Sequence, residues 1–140
     1  MTDTASFPAD VRLLVDGGSL GNPGRGYGSF HLTDREGHEQ TVRLDFGDQV
    51  TNNQAEYRTL IAALEAALDH ALEHGWAPER LSLSIVTDSQ LMVQQIAGHW
   101  KVRQPHLKPL HERARTLLQR FGRVEISWRP REEIAAVLGH

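Results

Sequence analysis

Apolar positions recur along this chain with two different periods, and the changes of period divide it into strands and helices. "VRLLVD" (11–16) is an apolar, β-branched run stopped by Gly17-Gly18, which predicts a strand. "GYGSFHLTD" (26–34) predicts a second strand, and "GHE" (37–39) a turn. "QTVRLDFG" (40–47) alternates apolar and polar side chains, as a half-solvated third strand does. Three strands joined by short turns make an antiparallel meander. The period then changes. Tyr57, Leu60, Ile61, Leu64, Leu68, Ala71 and Leu72 recur at three and four, the spacing of an amphipathic helix, with Asn52 or Asn53 to cap it and Gly75 to end it. "LSLSIVTD" (81–88) returns to strand. "SQLMVQQIAG" (89–98) is a short helix with Ser89 as cap and Gly98 as stop. Leu107, Leu110, Ala114, Leu117, Leu118 and Phe121 outline another helix, "RVEISWRP" (123–130) a fifth strand, and "REEIAAVLGH" (131–140) a terminal helix that runs out at Gly139.

The order β-β-β-α-β-α-α-β-α predicts an α/β fold: a five-stranded mixed sheet, antiparallel meander plus parallel crossovers, with helices on both faces. No linker divides it. Residues 1–10 read as a flexible tail and 11–140 as a single domain, which suits a chain of 140 residues.

Composition narrows the chemistry. There is no cysteine, so disulfides and thiolate metal sites are excluded. No run reaches the roughly 18 apolar residues of a membrane span, and MTDTASFPAD lacks the basic-then-apolar pattern of a signal peptide. The expectation is a cytoplasmic protein without membrane contact. The formal net charge of −3 argues mildly against a nucleic-acid partner. Its distribution argues the other way: Lys101, Arg103, Lys108, Arg113, Arg115, Arg120, Arg123, Arg129 and Arg131 face only Glu112 and Glu125 in that segment.

Three acids stand at informative places. Asp16 ends the first strand, Glu56 lies in the first turn of the long helix, and Asp88 ends the fourth strand. The carboxyl ends of strands in an open α/β sheet are where such folds place ligands. One strand-end aspartate is ordinarily a cap or turn former. Three on one edge repel unless a cation sits among them, and hard oxygen ligands without thiolates suit Mg²⁺ or Mn²⁺. Gly17, Gly18 and Ser19 leave Asp16 approachable and offer backbone groups to a polar polymer. A phosphate-binding P-loop is excluded, because no Lys-Ser or Lys-Thr follows these glycines. A dinucleotide fingerprint fails because Gly26-Tyr27-Gly28 enters a strand.

"DGGSLGNPGRGYG", "TNNQAEYRTLIAAL", "VTDSQLMVQQIAGHWKV" and "WRPREE" stand in the order of the corresponding motifs of the type 1 ribonuclease H family, and the chain resembles that family from about residue 11 to 134. The resemblance implies a ribonuclease H-like fold and an endoribonuclease. Such an enzyme hydrolyses the RNA strand of RNA–DNA hybrids with two divalent ions, leaving 5′-phosphate and 3′-hydroxyl ends. It implies Asp16 as the acid shared by both metals, and Glu56 and Asp88 beside the leaving group. It implies Gly17, Gly18, Ser19, Thr51, Asn52 and Asn53 as substrate contacts. No obligate protein partner is evident, and a monomer is expected.

Two departures from the family pattern stand out. The basic protrusion of many bacterial members is missing; between Gly98 and Leu107 the chain reads only "HWKVRQPH", where Lys101 and Arg103 offer a smaller phosphate contact. The family also continues "REENxxAD", ending in a fourth catalytic aspartate. Here Leu138 takes that register, and no Asp follows Asp88. His140 or the terminal carboxylate, Glu132 or Glu133 are the candidate replacements, or the site works with three acids. The other histidines show no clustered metal spacing, and His70 and His74 read as a solvated helix face. Trp76, Trp100 and Trp128 read as packing residues. The rival readings are a hybrid-binding protein whose chemistry has decayed, and a related transfer or recombination nuclease.

Overall fold

The computed structural model describes residues 9–139. Five strands form one sheet in the order β3-β2-β1-β4-β5. They are β1 (Val11–Leu20), β2 (Gly24–Asp34), β3 (Glu39–Val50), β4 (Ser82–Thr87) and β5 (Arg123–Trp128). β1–β2 and β2–β3 pair antiparallel; β1–β4 and β4–β5 pair parallel. The helices are α1 (Asn52–Glu73), α2 (Gln90–Ile96), α3 (Lys108–Leu118) and α4 (Arg131–Leu138), with a 3₁₀ turn at Pro78–Arg80. The predicted order and mixed sheet are therefore present.

The first strand is longer than its apolar run. It passes through Gly17-Gly18 to Leu20, because β2 supplies partners for those residues: Gly17 lies opposite Gly28 and Gly18 opposite Tyr27. The cap of α1 also differs from expectation. Thr51, not Asn52 or Asn53, is the N-cap. Its side chain accepts from the Gln54 amide at 3.1 Å, and the Gln54 side chain accepts from the Thr51 amide at 2.9 Å, a reciprocal capping box. Ser89 caps α2 as predicted, accepting from the Met92 amide. Ala9 and Asp10, read as the end of the tail, are built into the fold. Asp10 accepts from the Ser82 amide at 2.8 Å and from Arg35 at 2.7 Å; those bonds hold its carboxyl below the usual range.

Alternation along β1 sorts the two faces. Val11, Leu13 and Val15 are buried in one core with Leu60, Leu64 and Ala67 of α1, Leu83 and Ile85 of β4, and Leu117 and Leu118 of α3. Full burial of a leucine is worth about 1.5–3 kcal/mol, so truncating Leu64 to alanine would cost about 2–5 kcal/mol. The other face of β1 carries Asp16. In its row, Ser29 lies opposite Asp16 and Arg43 opposite Ser29. Helix α4 covers this second face: Arg43 Nη2 donates to the Leu138 carbonyl at 2.9 Å.

Candidate active site

Two glycines let α1 lie against the sheet closely enough to bring its first turn to Asp16. A Cβ on Gly17 would stand 2.6 Å from the Ala55 carbonyl oxygen and 2.9 Å from the Glu56 amide nitrogen. A Cβ on Gly28, the partner of Gly17, would stand 1.9 Å from Thr59 Oγ1. The Gly-Gly pair is therefore a packing requirement that sets the position of Glu56. Gly18 serves a different neighbour, since the Tyr27 hydroxyl lies 2.6 Å from where its Cβ would be.

The parallel ladder brings in the third acid. Val15 pairs with Thr87, so Asp16, inside β1, and Asp88, just past the end of β4, lie side by side. Asp16 is 4% exposed and the Asp88 side chain 9%. Burial pushes the Glu56 carboxyl up to about 7; a hydrogen bond from Ser89 opposes this, and the charges of Asp88 and Asp16 add to it. Asp88 is also raised, by burial and then by Asp16. Three carboxylates thus share one poorly solvated corner, and Asp88 Oδ1 is buried there with no hydrogen-bond donor among the described residues. Acceptor-only oxygens at such a position fit a hard divalent cation.

A side-chain cation from outside the three acids joins the cluster. Arg131, at the start of α4, lies 3.5 Å from Asp88 Oδ2. Its guanidinium is raised chiefly by the charge of Asp16, with further support from the Tyr27 hydroxyl and Asp88. The motif "WRPREE" contained it, but only the fold shows where it points. Trp128 at the end of β5 donates from its indole to the Asp88 carbonyl at 3.2 Å, fixing the backbone that carries the acid.

The expected substrate contacts gather beside this corner. Asn22 in the β1–β2 turn accepts from the Asn52 amide at 3.0 Å, which ties the glycine-rich turn to the start of α1. The Ser19 hydroxyl is spent on the Gly21 carbonyl at 2.7 Å and the Thr51 hydroxyl on the helix cap. The Asn52 side chain is exposed and that of Asn53 half-buried. Asn53 lines a cleft with Leu91, Gln95, His99, Trp100, Lys101, Arg103 and Gln104. Trp100 and Trp128 are 48% and 41% exposed, which corrects their reading as packing residues. Buried Tyr57, next to Glu56, donates to Gln95 Oε1 at 2.7 Å, and Gln95 donates to the Lys101 carbonyl at 3.3 Å. The acid-bearing helix and the cleft wall are thereby joined.

Leu138, the last residue of α4, is 1% exposed, so a buried apolar side chain fills the register of the family's aspartate. Glu132 and Glu133 are exposed, and Glu133 faces Arg129 at 4.0 Å, so neither carboxylate has undergone a register change toward the cluster. His140 lies outside the described residues.

Comparison with known proteins agrees with this geometry. A family model described as reverse transcriptase-like matches residues 15–137. The chain is 38% identical over 122 residues to the Mycobacterium tuberculosis protein named Bifunctional protein Rv2228c, covering 86% of this chain and 31% of that one. The solved N-terminal RNase H domain of that protein superposes with a TM-score of 0.76 at 33% identity, over 91% of this chain and 87% of the domain. The chain is 37% identical over 121 residues to Ribonuclease HI of Halobacterium salinarum, covering 86% of this chain and 57% of the relative. LC11-RNase H1, solved in complex with an RNA/DNA hybrid, superposes with a TM-score of 0.76 at 28% identity, over 90% of this chain and 89% of its own. The chain thus spans less than two thirds of the two curated relatives, while matching the solved domains almost end to end. Sheet order, motifs and family match coincide: the chain belongs to the reverse transcriptase-like family of ribonuclease H-fold domains.

Proposed function

We propose that this chain is a ribonuclease H, hydrolysing the RNA strand of RNA–DNA hybrids and leaving 5′-phosphate and 3′-hydroxyl ends. The observation that carries the reading is the buried convergence of Asp16, Glu56 and Asp88, with an Asp88 oxygen that no donor among the described residues reaches. Asp16, Glu56 and Asp88 are the residues that hold the divalent cations, Mg²⁺ or Mn²⁺. Such ions, when bound, polarise a phosphoryl oxygen, lower the pKa of a water and stabilise a departing oxygen.

The remaining work belongs to the chain. Gly17 lets the first turn of α1 come up to Asp16, and Gly18 leaves room for the Tyr27 ring. Asn52 and Asn53 present amide side chains to sugar and base edges, where the 2′-hydroxyl distinguishes RNA from DNA. Ser19 and Thr51 contribute mainly by shaping the backbone, since their hydroxyls are internally bonded. Trp100, Lys101 and Arg103 offer an aromatic face and positive charge to the backbone of the duplex, in place of a longer basic protrusion. Arg131 keeps one fixed positive charge against Asp16 and Asp88. Such contacts read shape and charge, so cleavage is expected to be sequence-tolerant.

Leu138 favours a second reading, a hybrid-binding domain without chemistry. One experiment separates the two: strand-specifically labelled hybrid incubated with the purified protein in Mg²⁺ and, separately, in Mn²⁺. RNA-strand fragments with 5′-phosphates support the nuclease. Tight binding with both strands intact in both metals supports the binding domain. The monomeric state and a cytoplasmic location belong to the same proposal, and sedimentation and cell fractionation test them.

A further inference from the structure

Far from the carboxylates, the β2–β3 turn meets the other end of α1. From Glu56 to His70 run fourteen residues of helix, about 21 Å at roughly 1.5 Å each. Asp34 closes β2 and accepts from the Glu36 and His38 amides at 2.8 and 3.1 Å, which folds His38 back over the helix. Gly75, at φ +70°, turns the chain after α1 and lays Trp76 against it. The Trp76 ring sits 5.6 Å from His70 and 4.8 Å from His74 between centroids. The His38 ring is 4.6 Å from His74, and the rings of His70 and His74 are 4.3 Å apart. His70 and His74, expected on a solvated helix face, instead cluster with His38. The third imidazole comes from a turn more than thirty residues earlier in the chain.

The hydrogen bonds fix which nitrogens are free. His38 Nδ1 and His70 Nε2 lie 2.8 and 2.7 Å from Asp34 Oδ2, and His74 Nδ1 lies 2.8 Å from the His70 carbonyl. Burial pushes the Asp34 carboxyl up, but the bonds from His70, His38 and the two amides outweigh it and hold the group well below the usual carboxylate range. An ionised carboxylate and a carbonyl only accept, so each facing nitrogen carries the proton. In the neutral rings, His38 Nε2, His70 Nδ1 and His74 Nε2 keep their lone pairs. A histidine that ligates a metal characteristically donates its other N–H to a carboxylate or a carbonyl, and all three rings do so.

We propose that His38, His70 and His74 form a metal site separate from the carboxylate cluster. It takes one divalent transition ion of the zinc class, with Asp34 orienting two of the three imidazoles. A set of ring nitrogens, one from each histidine, lies mutually within 4.8 Å. Tetrahedral zinc, with bonds of about 2.0–2.1 Å, needs them roughly 3.4 Å apart. The side chain of His38 is 47% exposed, so it can rotate inward to close that difference. Imidazole nitrogen selects zinc-class ions over Mg²⁺, which prefers oxygen. The ion would clip the β2–β3 turn to the end of α1, and water would complete its coordination on the exposed side.

The test needs no nuclease activity. The protein is titrated with Co²⁺ in excess Mg²⁺, which holds the carboxylate cluster, and the visible absorption of the bound ion is followed. Zn²⁺ is then added to displace it. The proposal expects one Co²⁺ per chain, displaced by Zn²⁺. Replacing both exposed ligands (His38→Gln with His74→Gln) should weaken binding at least about 100-fold. Asp34→Asn should weaken it about 10- to 100-fold, the usual cost of losing an orienting partner. Zn²⁺ should also raise the Tm of the wild type and leave that of the double variant unchanged. Absence of Co²⁺ binding in Mg²⁺, or binding undiminished in the folded double variant, overturns the site. If the double variant does not fold, the wild-type Zn²⁺ shift in Tm decides: no shift overturns it.

Discussion

Gly17 and Ala55 touch without a side chain between them: a methyl group at 17 would lie 2.6 Å from the Ala55 carbonyl oxygen. That contact joins β1 to the first turn of α1 and so holds Glu56 against Asp16. Gly17→Ala must push the helix away, because the obstacle is backbone. Overpacking of this kind costs about 1–3 kcal/mol, and a displacement of roughly 1 Å at a catalytic constellation costs on the order of 100-fold in rate. Thermal unfolding and hybrid-cleavage kinetics check this. A variant with wild-type Tm and rate would show that the close approach does not position Glu56.

Asp16→Asn is expected to abolish cleavage while leaving hybrid binding intact. Asp16 raises both Glu56 and Asp88 by its charge, so neutralising it should also raise the Tm of the metal-free protein. A rate within tenfold of wild type would remove Asp16 from the mechanism.

Glu56 gives the metal-free protein a pH dependence of definite sign. Its carboxyl rises from an ordinary value of 4.5 to about 7 on folding. The folded state then binds a proton that the unfolded state has released. The destabilisation is absent below about pH 4.5, grows up to pH 7 and is complete above it. Its full size is on the order of 3 kcal/mol. Tm measured in chelator should therefore carry a falling contribution between pH 5 and 7.5 that Glu56→Gln lacks. Mg²⁺ should suppress it. Parallel Tm profiles for wild type and Glu56→Gln would sink this account.

The fourth-ligand question is tested at residue 140. If His140 serves the cluster, His140→Ala lowers kcat far more than it weakens hybrid binding. An imidazole ligand would also favour Mn²⁺ over Mg²⁺, and His140→Asp would shift the preference back. Unchanged activity of His140→Ala with both metals leaves three carboxylates as the working set.

Lys101→Ala with Arg103→Ala should weaken hybrid binding and flatten its dependence on log salt by about 1–2. The rate at saturating hybrid should stay the same, because the cleft lies beside the carboxylates and is not among them. A steeper or unchanged salt slope would place the duplex elsewhere.

Local patterns in the sequence determined the element order, the mixed sheet and the three acids, because period-two and period-three-or-four patterning and the glycine-rich motif are properties of neighbouring residues. Ser89 was legible as a cap for the same reason. The tertiary structure decided whatever depends on residues distant in sequence. β1 runs on through two glycines because β2 pairs with them. Thr51 takes the cap of α1, while the Asn52 amide is drawn to Asn22. Arg131 reaches Asp16 and Asp88 only because α4 begins where β5 ends beside β4. Leu138 is held against the sheet through Arg43, 95 residues away in the chain. His38 joins His70 and His74 because the β2–β3 turn folds over the end of α1. Spacing along the chain shows which side chains share one element; only the packed fold shows which elements share a site.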